Sequence, residues 1–175
     1  MASVGHVFVG MAAARFDRGG RRATWHAFST AVVWSGLSLL PDADVVGFRL
    51  GVHYEDPWGH RGATHSFVFA LAVSLAAWGV AKLARLPARR TALLVLAVVA
   101  SHPLLDTLTD GGLGCALLWP FSTERFFAPW TPLPVAPIGR GFLSAEGLRV
   151  ALAEVALLAP FWLYAIWPRR RKEAA

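Results

Sequence analysis

The octet Gly59-His60-Arg61-Gly62-Ala63-Thr64-His65-Ser66 packs two imidazoles, a guanidinium and two hydroxyls directly before an apolar run that begins at Phe67. Polar chemistry of that density at the mouth of a membrane-grade helix is costly unless something uses it. His102 and Asp106 lie four residues apart on a predicted helix, so both side chains leave one face, one turn apart. Imidazole with carboxylate suits zinc, manganese or iron(II) better than copper(I) or a thiolate-bound metal. Pro41 ends a helix just ahead of Asp42 and Asp44, and two carboxylates in the following turn can face a common point. His6 begins the first apolar run, and Gly10, one turn on, lets a neighbouring backbone come close.

Each feature alone has a plainer explanation. His102 and Asp106 can decorate a helix end, Pro-Asp-x-Asp is an ordinary polar turn, and His6 can sit in interfacial water. Thr64 or Ser66 can cap the third helix, whose amino end favours anions, while Arg61 snorkels or clamps a phosphate or carboxylate. Those accounts leave the octet's two histidines unexplained. His65 is expected to bind metal, and His60 is either a ligand or the partner that orients one. At least one of Asp42 and Asp44 is expected to be a ligand, the other orienting a histidine or acting as a base.

Five helical segments must position these groups: about Val4 to Phe16, Trp25 to Leu40, Phe67 to Leu83, Thr91 to Leu105 and Gly147 to Trp167. The first is short for a full crossing. A 175-residue chain predicts one domain over 1–175, and 55% hydrophobic residues with a mean hydropathy of +0.47 point to membrane spans. The fold class expected is all-α, a polytopic membrane bundle of about five helices with a long extracytoplasmic loop. The net charge of +6 does not indicate nucleic acid, because the cations fall in three clusters between apolar runs. Those clusters are Arg15 to Arg22, Lys82 to Arg90 and Arg169 to Lys172. With five crossings they share one side, the cytoplasmic one, which leaves the amino terminus outside and the carboxyl terminus in the cytoplasm. His6, Asp42, Asp44, His60, His65, His102 and Asp106 then all arrive at the outer face.

The outer segment from Thr107 to Ala145 is rich in Pro, Gly and aromatics and reads as a stiff interfacial loop, with Arg125 and Arg140 placed to meet anionic head groups. Glu154, two turns into the fifth helix, is an intramembrane carboxylate for which a protonated structural role is the commoner case. Cys115 is the single cysteine, which excludes an internal disulfide and a cysteine-built zinc site. The amino end lacks the basic start of a signal peptide. No His-Glu-x-x-His favours a metalloprotease. A haem-binding cytochrome is disfavoured by the accompanying aspartates.

These pieces resemble the YdjM-type family, described as LexA-regulated, inner-membrane-bound, metal-dependent hydrolases. The matching residues are Gly5-His6 with Gly10, Leu39-Leu40-Pro41-Asp42-x-Asp44, the octet, Ser101-His102-x-x-x-Asp106-x-Leu108-Thr109, and Leu117-Leu118-Trp119-Pro120 followed by Arg125-Phe126. Asp110 departs from the family, where proline is usual. The order His, Asp, His, then His-x-x-x-Asp is also remotely similar to the first half of the zinc-dependent phospholipase C and P1 nuclease pattern. The chain has no histidine after His102, so a full trinuclear cluster is not expected.

The resemblance implies a hydrolase in the bacterial inner membrane, working at its outer face on a phosphoester of a lipid or lipid-linked molecule through a metal-activated water. The expected ligands are His6, Asp44, His65, His102 and Asp106, around a divalent metal, zinc first and manganese or iron next. Asp42, His60 and Arg61 are the expected catalytic residues, and Arg61, Thr64, Ser66 and Arg125 the substrate contacts. The alternative is a non-catalytic membrane protein whose metal or polar cluster ties its helices together.

Overall fold

The computed structural model describes residues 3–17 and 24–168. All its regular structure is helical: α1 (Ser3–Asp17), α2 (Thr24–Leu39), α3 (Phe67–Leu83), α4 (Ala88–Thr107), α5 (Ala145–Leu157) and α6 (Ala159–Ile166). Each of the five apolar runs therefore forms helix, and the fifth is broken in two. α5 and α6 meet at a bend of 70°, where Pro160 cannot supply the amide that a continuous helix needs.

Helices α1 and α2 pack closely, and the sequence shows why. A Cβ on Gly10 would lie 2.4 Å from Ser35 Cα and 2.7 Å from the Trp34 carbonyl, so only glycine admits α2 there. Ser35 Oγ also donates to the Val7 carbonyl. The buried core is built from Ala14, Trp34, Ala70, Val95, Val98 and Val99, mostly small side chains that bring the backbones of four helices together. The outward faces are apolar too, with Val32, Leu71, Leu75, Leu93 and Leu152 exposed. Apolar residues on both faces suit lipid surroundings rather than water.

Among the described residues, fewer than five helices are long and apolar enough to cross a membrane, judged by length and composition. Two helical stretches are long and apolar enough to cross a membrane, Ala27–Leu50 and Ala88–Thr107, and the bent α5–α6 pair makes up to three. At about 1.5 Å per residue, the 15 residues of α1 and 17 of α3 fall short of a hydrocarbon core about 30 Å thick. Arg18, Arg21 and Arg22, with Arg169 to Lys172, lie outside the described residues, so the charge pattern behind the expected orientation is described only in part.

Opposite ends of the bundle differ chemically. Arg90, in the first turn of α4, donates to the Phe16 and Asp17 carbonyls that end α1. His6 and His102 stand at the other end of the same two helices, their rings stacked 3.7 Å apart. α2 stops at Leu39, as Pro41 requires, but the chain does not turn away. It continues as a 3-10 helix over Leu40–Leu50 that carries Asp42 and Asp44 into the same end.

Residues 108–138 form an irregular segment fastened by isolated bridges, Thr109 to Leu133 and Cys115 to Phe126. It packs back on the octet: the Ala116 amide donates to the Arg61 carbonyl, and the Phe67 amide to the Leu117 carbonyl.

Candidate metal centre

The octet forms a tight knot because its glycines permit one. A Cβ on Gly59 would lie 2.1 Å from the His53 carbonyl oxygen, and one on Gly62 would lie 2.4 Å from that of Pro57. Between them Arg61 takes φ of +62°, a left-handed conformation uncommon for a side-chain-bearing residue. Ser66 then caps α3, accepting from the Phe69 amide and donating to the Ala63 carbonyl. These constraints turn His60, Arg61 and His65 inward, each no more than 1% exposed.

Four residues from three elements meet here, His102 and Asp106 both coming from α4. Asp42, His65, His102 and Asp106 each offer a ligand atom, all within 4.8 Å of one another. His65 Nε2 lies 3.2 Å from His102 Nε2, 3.5 Å from Asp42 Oδ1 and 3.6 Å from Asp106 Oδ2. His102 Nε2 lies 3.3 Å from Asp42 Oδ1. Donors at zinc bond lengths of about 2.0–2.2 Å in a tetrahedron stand about 3.3–3.6 Å apart. The spacings therefore fit one small cation.

The second nitrogen of each ring supports the same conclusion. His102 Nδ1 is 2.7 Å from the Ser38 carbonyl, which can only accept, so that nitrogen carries the proton and Nε2 presents a lone pair. His65 Nδ1 is 3.1 Å from Asp44 Oδ2, and a proton shared there leaves Nε2 open in the same way. Both Asp42 oxygens are buried without a hydrogen-bond partner. With the His65 proton on Nδ1, lone pairs converge on one point. Charge balance agrees, since Asp42, Asp44 and Asp106 against the Arg61 guanidinium leave two negative charges in a buried site. Such charge must be compensated; one divalent ion would do so, and a proton on His65 does so in part.

A proton is the competitor. Burial lowers the proton affinity of the His65 imidazole, but the Asp106, Asp42 and Asp44 carboxylates around it outweigh that and push its pKa up to about 10.

The two carboxylates after Pro41 sit in different surroundings. Asp42, expected to be catalytic, belongs to the four-residue group. Asp44, expected to be a ligand, is surrounded by donors: His60 Nδ1 at 2.7 Å from Oδ1, with the Arg61 amide at 3.2 Å and Thr64 Oγ1 at 2.7 Å from Oδ2. It forms a second close group with His60 and His65, and its hydrogen bonds suit orienting both rings. His6 stands beside the first group, with Nε2 3.3 Å from Asp106 Oδ1. His60 Nε2 is buried without a partner, its ring edge-on to Tyr54 at 5.2 Å.

The expected substrate contacts are engaged within the protein. Arg61 sits with Nε 3.0 Å from Asp106 Oδ2 and donates through its two terminal nitrogens to the Gly111 carbonyl and Thr109 Oγ1. It is the buried counter-charge of Asp106 rather than an anion clamp at the surface. Arg125 donates to the carbonyls of His60, Tyr54 and Asp56, fastening the irregular segment to the octet loop instead of reaching for head groups. Thr64 and Ser66 are taken by Asp44 and by the α3 cap. Sequence reasoning missed Ser38, Thr109 and Gly111 because they act through backbone oxygens or one hydroxyl; the Ser101-to-Thr109 match carried the only signal, at Thr109.

Residues 1–172 match the YdjM inner membrane protein family. The chain is 41% identical over 140 residues to the inner membrane protein YbcI of Escherichia coli (strain K12), an alignment covering 77% of this chain and 81% of that protein. No solved structure matches. A family match over nearly the whole length, with a relative at that identity, means that the chain belongs to the YdjM inner membrane protein family.

Proposed function

We propose that the protein is a metal-dependent hydrolase that cleaves a phosphoester of a lipid or lipid-linked substrate at the outer face of the cytoplasmic membrane. Asp42, His65, His102 and Asp106 would hold the ion, zinc by preference and manganese or iron(II) next. Bound there, it would supply a Lewis acid and bring the pKa of a water toward neutrality. The convergence of His65 Nε2, His102 Nε2 and the Asp42 carboxylate on one point carries this reading.

The protein's own groups take the remaining parts. His60, its Nδ1 proton held by Asp44, has the arrangement of a general base and would accept a proton at Nε2. Asp44 keeps His60 and His65 in their working tautomers. Arg61 holds Asp106 in place. Exposed Trp58, Phe121 and Trp130 near the octet and in the irregular segment suit an interfacial belt, which would put the site at head-group level.

One observation favours a structural cluster instead. His65, His102 and Asp106 are wholly buried, and Asp42 is only 7% exposed. The two readings part on activity. Purified protein loaded with zinc or manganese is assayed in detergent with phosphodiester, phosphomonoester and ester reporters, beside His60→Ala. Turnover lost in His60→Ala while metal is retained supports the hydrolase; metal without turnover on any reporter supports the structural cluster.

A further inference from the structure

Glu154 takes no part in the centre as described, yet it is completely buried. It lies in α5, and its Oε2 accepts from the amides of both Val4 and Gly5, each at 2.9 Å. Those amides belong to the first turn of α1, where backbone N–H groups have no partner within their own helix. A carboxylate is also the charge that a helix amino end favours. Glu154 therefore caps α1 from about 150 residues away in the chain. Its other oxygen, Oε1, is buried with no partner, so the side chain is held in place for one oxygen's contacts.

The residue after the capped amides is His6. Its ring stacks on His102 at 3.7 Å, and its Nε2 reaches Asp106 Oδ1 at 3.3 Å. Gly10 against α2 and Ser35 against Val7 fix how closely α1 packs sideways. The cap is the contact that meets α1 at its amino end. A slip of one residue would move His6 about 1.5 Å along the axis, enough to break a contact of this length.

We propose that Glu154 is a positioning residue for the metal centre: by capping α1 it sets the depth of His6, and through His6 the placement of His102 and Asp106. The role rests on the metal-centre reading. The test compares zinc affinity, by competition with a chromophoric chelator, for full-length wild type, Glu154→Ala, Glu154→Gln, His6→Ala and the double variant Glu154→Ala/His6→Ala. Each is a monodisperse fraction in detergent.

The expected result is at least tenfold weaker binding in Glu154→Ala. Glu154→Gln, which keeps an acceptor oxygen but loses the charge that a helix amino end favours, should bind severalfold more weakly than wild type and more tightly than Glu154→Ala; it also serves if Glu154→Ala does not fold, since that severalfold loss in a folded Glu154→Gln supports the role and unchanged binding overturns it. Adding Glu154→Ala to His6→Ala should weaken binding no further, because the effect passes through His6. A full additional loss in the double variant marks a general structural role and overturns the proposal. If wild type binds zinc and Glu154→Ala binds it equally well, the centre stands and the positioning role falls. If wild type binds no zinc, both fall.

Discussion

His65 Nε2 and His102 Nε2 face each other across 3.2 Å, and each ring's other nitrogen already has an acceptor, Asp44 for His65 and the Ser38 carbonyl for His102. Two lone pairs at that distance repel unless a metal ion or a proton lies between them. With the Asp42 carboxylate on the same point, the pocket has the acceptor-only character of a metal site.

Asp44 is predicted to matter through orientation. Asp44→Asn keeps the size but loses the charge that holds the Nδ1 protons of His60 and His65. Metal affinity should fall about 10- to 100-fold, the usual effect of removing a partner that orients a ligand, while Asp42→Asn should abolish tight binding. Isothermal titration in detergent measures both; equal effects would mean that Asp44 is itself a ligand.

Arg61 is predicted to be a stability residue. Arg61→Ala leaves Asp106 without its buried counter-charge, a loss of about 3–5 kcal/mol by the behaviour of such pairs. Arg61→Lys should rescue little, because one ammonium cannot span Asp106, Thr109 and Gly111 together. Thermal unfolding in detergent checks it. Unchanged stability with a raised KM in Arg61→Ala would restore the anion-clamp role expected from the sequence.

Metal and proton compete for His65 Nε2, which gives the pH dependence a sign. In metal-free protein the imidazole's pKa rises from 6.5 to about 10, so its contribution to stability is complete below pH 6.5 and is lost as pH rises through about 10. Metal must displace that proton, so affinity should rise about tenfold per pH unit between pH 6 and 8. A flat profile over that range would show that His65 binds metal without releasing a proton.

Cys115 is fully buried, and burial pushes its thiol up to about 12. The folded protein should resist maleimide at pH 8 and react fully once denatured. Mass spectrometry of the labelled chain reads the result; rapid labelling of the folded form would show that the Cys115–Phe126 bridge opens readily.

Much of this was legible in the sequence, for local reasons. The five apolar runs form helix, Pro41 ends α2, and Gly10 stands where a Cβ would strike another backbone. What was hidden depends on chain returning from far away. Arg61 turns inward because Thr109 and Gly111, about 50 residues later, come back to meet it. The chain keeps winding as 3-10 helix after Pro41, and spacing alone does not say how Asp42 and Asp44 then face the histidines. Glu154 finds its purpose only when α5 reaches the start of α1.

Metal content of the purified protein tests the central claim most directly. Inductively coupled plasma mass spectrometry on protein purified without chelator should find about one divalent ion, chiefly zinc or manganese, per chain. His102→Ala and Asp106→Ala, folded and monodisperse, should have lost it. Wild type and both variants holding equally little metal, even after reconstitution, would contradict the account.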